Sequence, residues 1–175
     1  LSSFEGRGFM NPVDIAVAPD NVLFVLNRGY GVEVPGFAEV GGGGVTIAAD
    51  GGRRVSKIKL DEEHIGDFAR THFTWPTGLA LSRDGNVYVS DEYEDAIVVF
   101  PPDRIYEFPW FDPDGEQIGR WGESGSGIGQ LAGPSGIEFD ADDNLLVVES
   151  GNNRIQRFTK EGKFLDIWGE FGTGP

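Results

Sequence analysis

Pro12-Val-Asp-Ile-Ala-Val-Ala-Pro-Asp-Asn-Val-Leu-Phe-Val-Leu-Asn27 lies without a gap over Pro76-Thr-Gly-Leu-Ala-Leu-Ser-Arg-Asp-Gly-Asn-Val-Tyr-Val-Ser-Asp91. Both lie over Pro134-Ser-Gly-Ile-Glu-Phe-Asp-Ala-Asp-Asp-Asn-Leu-Leu-Val-Val-Glu149. Self-similarity on this scale marks a chain built from one supersecondary unit used repeatedly. After each proline comes a short run with large apolar residues at alternate positions: Ile15 and Val17, Leu79 and Leu81, Ile137 and Phe139. That alternation predicts a strand. Pro19-Asp20, Asp84-Gly85 and Asp142-Asp143 follow as turns, since Gly and Asp tolerate the backbone a tight hairpin needs. A second strand, rich in Val, Leu, Tyr and Phe, closes each hairpin.

Working outward, a third strand is expected at Arg54–Ile58, Ala96–Phe100 and Arg154–Phe158. A fourth is expected at His64–Phe68, Gln117–Trp121 and Phe164–Trp168. Four short antiparallel strands per repeat are the pattern of a propeller blade. The expected fold is therefore all-β: a β-propeller of four-stranded antiparallel blades, about three of them, forming a partial ring. The whole of 1–175 reads as one propeller segment. Blade 1 covers about 10–69 with an insert at 32–53, and blade 2 about 74–122 with an insert at 101–111. Blade 3 covers about 132–169, and 170–175 opens the next connector. The repeated prolines fall 64 and 58 positions apart, the excess lying mostly in the two inserts.

The residues Pro134-x-Gly-Ile, Asn152-x-Arg-Ile-Gln-x-Phe158 and Gly162 to Trp168-Gly169 resemble the NHL repeat, as does Asp84-Gly-Asn-Val-Tyr-Val-x-Asp91. The connector Gly125-Ser-Gly-Ile-Gly-Gln-Leu-Ala-Gly-Pro134 is similar to the family's glycine-rich linker. Departures are Asp14 where the pattern has Gly, and Asn27 and Glu149 where it has Asp. The resemblance implies a six-bladed ring whose innermost strands line a central channel. Three blades cannot close such a ring and would expose apolar faces and strand edges. A fragment of a longer propeller is the favoured expectation, and head-to-tail assembly of copies the alternative.

Composition narrows the function. With 29 acidic against 14 basic residues, the net charge is −15. This works against binding a nucleic-acid backbone, which calls for clustered Lys and Arg. It suits solubility, cationic partners or divalent metals. The chain has no cysteine, so disulfides and thiolate metal sites are excluded, while a cytoplasmic, secreted or periplasmic setting stays open. No apolar run reaches the length of a membrane span, and no signal peptide is visible.

In an antiparallel blade the start of strand one and the end of strand two share a rim. The candidate ligand-binding residues are therefore Asp14, Arg28, Thr77, Asp91, Glu92, Tyr93, Ser135 and Glu149. Asp91, Glu92 and Glu149 are hard oxygen donors suited to Ca²⁺; alternatively, Asp91 and Glu149 accept backbone N–H bonds in the turn. Asp140-Ala-Asp-Asp-Asn144 imitates the start of a calcium loop but lacks its downstream Gly and Glu, and it reads as a turn. His64 and His72 align with no rim position. The zinc-binding histidines that the resemblance implies for peptide-amidating lyases built on this repeat have no counterpart here. No Gly-x-Ser-x-Gly elbow or phosphate loop is present, and no catalytic residue is assigned. Phe68, Trp121 and Trp168 recur at one blade position and are expected to pack between blades. The insert 32–53 is expected to form an extra hairpin, and the aromatic insert 101–111 an edge cover or a recognition surface. The favoured expectation is a non-enzymatic platform binding a protein or a small molecule through an acidic rim. The alternative is part of a metal-dependent propeller enzyme of lyase or lactonase type.

Overall fold

The computed structural model describes residues 9–29, 53–61, 63–69, 72–102 and 117–169. These form twelve strands in three sheets, with no helix among them. Blade 1 is β1 (Pro12–Val17), β2 (Val22–Asn27), β3 (Arg54–Lys59) and β4 (His64–Phe68). Blade 2 is β5 (Pro76–Leu81), β6 (Val87–Asp91), β7 (Ala96–Phe100) and β8 (Gly119–Trp121). Blade 3 is β9 (Pro134–Phe139), β10 (Leu145–Glu149), β11 (Arg154–Phe158) and β12 (Phe164–Trp168). Each sheet is an antiparallel meander in chain order. The expected third and fourth strands match, except that β3 runs on to Lys59 and β8 begins at Gly119 rather than Gln117. The insert 32–53, apart from Arg53, lies outside the described residues, as does 101–111 beyond Pro101 and Pro102.

The side-chain period of two decides how the blades stack. On β6, Val87 and Val89 face blade 1, where Phe24, Leu26, Val55 and Phe68 meet them. Tyr88, between them in sequence, faces the other way and packs with Ile97, Val99, Ile137, Leu145, Val147 and Phe158. Blade 2 is thus covered on both faces, which is why β6 and β7 are buried at every position. Edge-on aromatic pairs tie the layers together: Phe68 against Phe24 and Phe100, and Tyr88 against Phe139.

The ring is partial. On blade 3, Ile155 and Trp168 are cross-strand partners on the face away from blade 2, and Trp168 is 46% exposed. Phe68, Trp121 and Trp168 do occupy one blade position, paired with Val55, Ile97 and Ile155, and the first two pack between described blades. Phe68 is buried between blades 1 and 2, and Trp121 lies 5.0 Å from Phe158. No described sheet packs on Trp168. The innermost strands β1, β5 and β9 run side by side and are joined by side chains. Asp14 Oδ2 accepts from Leu79 N at 2.8 Å, Thr77 Oγ1 donates to Pro134 O at 2.9 Å, and Ser90 Oγ donates to Ser135 O at 2.6 Å.

Candidate functional site

The cross-strand pairs Pro12↔Asn27, Pro76↔Asp91 and Pro134↔Glu149 put the start of each innermost strand beside the end of the second. The candidate residues therefore do share one rim. Their side chains divide into those that the fold itself occupies and those that it presents.

Asp91 is fully buried and accepts four backbone N–H bonds. Oδ2 takes Thr74 N at 2.6 Å, and Oδ1 takes Trp75 N at 3.0 Å and the N–H groups of Tyr93 and Glu94 at 3.2 Å. Glu149 is equally enclosed. Its Oε2 accepts from Ala132 N at 3.0 Å and Asn152 Nδ2 at 2.7 Å; its Oε1 accepts from Arg154 Nε at 2.7 Å and Gln156 Nε2 at 2.6 Å. At the matching place in blade 1, Asn27 Oδ1 accepts from Met10 N at 2.9 Å. Met10, Thr74 and Ala132 each stand two residues before their blade's proline. One polar oxygen at the end of strand two thus fastens the chain entering strand one, three times over. The clamp needs only an acceptor, so Asn, Asp and Glu serve alike, and the two departures from the repeat pattern keep the function of the position.

This geometry corrects the metal expectation. A cation needs carboxylate lone pairs, and those of Asp91 and Glu149 are taken by N–H donors. Glu92 does not converge with them, and no group of three or more His, Asp or Glu side chains suited to a metal ion exists among the described residues. Asp91, Glu92 and Glu149 do not fit Ca²⁺ as a set. Asp140 Oδ1 likewise accepts from Asp142 N and Asn144 N at 2.9 Å, an ordinary Asx turn.

Charge in the clamps is balanced differently in each blade. Arg154 lies against Glu149 and donates at 2.8 Å to the carbonyls of Ser126, Gly127 and Gln130, gripping the connector as well. In blade 1 the equivalent Arg54 faces neutral Asn27, and the balancing carboxylate has moved to β4. Asp67 Oδ2 lies 3.3 Å from Arg54 Nε, while Oδ1 meets Ser56 Oγ at 2.7 Å and His64 Nε2 at 3.1 Å. Burial pushes the Asp67 carboxyl up; Arg54, helped by Ser56 and His64, pulls it back past its ordinary value, so it ends lowered. A carboxyl depressed by folding stabilises the fold above its unfolded pKa of about 3.9, and that stability is lost as pH falls through the folded value. Asp67→Asn is accordingly expected to lower the thermal midpoint at pH 7. The gap to the parent chain should close below pH 4, as followed by circular dichroism melts across pH.

Asp14, Thr77 and Ser135 are also occupied. The first two bridge blades as described, Asp14 Oδ1 additionally accepting from Ile15 N, and Ser135 Oγ donates to Val148 O at 3.3 Å. The structure presents Arg28, Glu92 and Tyr93, and adds Trp75. Arg28 Nε donates to Pro76 O at 3.1 Å, and its guanidinium carbon sits 4.8 Å from the Trp75 ring centroid. Tyr93 is 75% exposed and Trp75 38% exposed. Glu92 N donates to Trp75 O at 3.0 Å, which joins the two loops. Trp75 was missed because it lies in the connector Ala69–Trp75, where no repeat pattern points to it. The available signal was an aromatic residue directly before the proline that opens an innermost strand.

Residues 131–158 match the NHL repeat. The protein brain tumor of Drosophila melanogaster is 42% identical over 53 residues, 30% of this chain and 5% of that protein. Peptidyl-glycine alpha-amidating monooxygenase of Mus musculus is 30% identical over 104 residues, 58% of this chain and 10% of that protein. The chain thus spans a small part of these relatives. A gluconolactonase from Xanthomonas campestris superposes with a TM-score of 0.58 at 20% identity, covering 99% of this chain and 52% of that one. This likeness shows the fold.

Proposed function

We propose that the chain, whose residues 131–158 match the NHL repeat and whose three sheets are β-propeller blades, is a binding platform. Its ligand, a protein or a small molecule, docks on the rim through Arg28, Trp75, Glu92 and Tyr93. One observation carries this reading: the exposed aromatics Trp75 and Tyr93 stand on loops whose backbone is locked by the four N–H bonds to Asp91. Rigid aromatic side chains on a fixed scaffold lose little entropy on binding and are the usual anchors of recognition surfaces. The neighbouring rim carboxylates Glu94 and Asp95 are held by structural partners. Glu94 Oε1 accepts from Thr74 Oγ1 at 2.7 Å, and Glu94 Oε2 lies 3.5 Å from Arg120; Asp95 accepts from Ser124 Oγ at 2.6 Å and Gly133 N at 2.7 Å.

Screening a mixed library of peptides and neutral organic fragments by NMR tests the platform. Binders should perturb the loops around Trp75 and Tyr93 rather than the opposite hairpins around Asp84 and Asp143. Trp75→Ala with Tyr93→Ser should weaken them about tenfold or more while leaving the thermal midpoint nearly unchanged. Binders spread evenly over both rims would end this reading. The enzyme alternative draws on the 30% identity to the amidating monooxygenase. Cleavage of a peptidyl-α-hydroxyglycine to the peptide amide and glyoxylate, or hydrolysis of a sugar lactone, by the purified chain would replace the platform with it.

A further inference from the structure

We propose that Arg28 is an oxyanion receptor at the channel mouth, binding a carboxylate or phosphate group of the rim ligand. The inference deepens the platform reading and rests on it. In an acidic chain most well-placed cations find carboxylates: Arg54, Arg120, Arg154, Arg157 and Lys160 all do. Arg28 does not; no carboxylate among the described residues lies within ion-pair distance of it. It is nevertheless held in place. Its Nε donates to Pro76 O across the boundary between blades 1 and 2, and its guanidinium lies over Trp75. Those two contacts fix the plane of the group, and neither Nη nitrogen has an acceptor among the described residues.

A guanidinium oriented in this way is a fork whose parallel N–H donors match the two oxygens of a carboxylate or phosphate. Pre-organisation matters because the ligand then has no arginine side chain to order. The neighbouring carboxylates do not compete for it. Asp91 is buried under backbone donors, both oxygens of Asp14 accept N–H groups, Glu94 is bonded to Thr74 and paired with Arg120, and Asp95 accepts from Ser124 and Gly133. Pro76 opens an innermost strand, so the fork stands where the channel meets the rim. The exposed rings of Trp75 and Tyr93 are placed to receive an apolar body attached to the anion.

Benzoate, phenyl phosphate and the neutral isostere benzamide, titrated at constant ionic strength, test this on the 175-residue chain. Arginine side-chain ¹⁵N–¹H resonances report on Arg28 itself, and R28K supplies the assignment. At least one of the two anions should shift Arg28 Nε–H saturably, and which of them binds more tightly identifies the anion class. Benzamide should bind about tenfold more weakly or worse, R28Q should abolish the preference for the anion, and R28K should retain only part of it. Thermal melts of R28Q and R28K should match the parent within a few degrees, separating binding from folding. The proposal is overturned if neither anion moves Arg28 saturably, or if R28Q binds anions as tightly as the parent. Equal binding of benzamide at the loops around Trp75 and Tyr93 would sink the oxyanion role while leaving the platform standing.

Discussion

Gly78→Ala is expected to cost about 2–3 kcal/mol, the upper part of the range for forcing extra volume into a packed interior. For a chain of this size that lowers the thermal midpoint by roughly 4–12 °C. The reason is local. A Cβ at Gly78 would fall on the carbonyl oxygen of Ser135 in the next innermost strand and 2.8 Å from Ser90 Oγ. Neither can give way cheaply: the carbonyl is backbone, and the serine hydroxyl is bonded to that same carbonyl. Glycine is needed here for the approach of two backbones, not for a left-handed conformation. The chain carries its own control. Gly136 holds the same place in blade 3, and a Cβ there would meet only Val148 Cγ2 at 3.8 Å, so Gly136→Ala should change the midpoint by no more than a degree or two. Asp14 holds the place in blade 1, where its carboxylate spans the gap to Leu79 N. Denaturant and thermal unfolding of the two alanine variants side by side check the claim, and equal losses at both positions would refute it.

The contrast between Gly78 and Gly136 also shows what could be read from the chain and what could not. The threefold proline register and the alternation of apolar residues place twelve strands almost to the residue, because strand period and turn chemistry are local. Burial is different. Trp168 and Trp121 occupy identical positions in their repeats, and only a neighbouring sheet partly buries one of them. The rim was legible too, since an antiparallel hairpin fixes which ends meet. The task of each rim side chain was not. Asp91 and Glu149 read either as ligands for a cation or, the favoured reading, as acceptors for the backbone. The choice rests on where Thr74 and Ala132 point their N–H groups, and connectors of unlike length and glycine content hide that. Arg28 was visible as a candidate, but its lack of an acidic partner among the described residues appears only when their carboxylates are placed.

The larger loss should follow from Glu149, because it neutralises a cation as well as fastening a connector. Glu149→Asn leaves Arg154, nearly as enclosed as its partner, without a carboxylate. It also shortens the reach to Ala132 N, Asn152 and Gln156. Breaking a buried ion pair from one side typically costs about 3–5 kcal/mol, roughly 6–20 °C in midpoint here. Blade 1 shows how the loss can be repaired. There Asn27 occupies the clamp, and Asp67, on the outermost strand, balances the arginine. The residue of blade 3 in register with Asp67 is Ile167, paired with Gln156 as Asp67 is paired with Ser56. Ile167 is more than a third exposed, so Ile167→Asp alone should cost little. Combined with Glu149→Asn, it should restore more than half of the lost stability, because the carboxylate returns to Arg154 from the other side. A double-mutant cycle by chemical denaturation measures that coupling. Additive losses would mean that the grip on the connector, and not the position of the charge, is what Glu149 contributes.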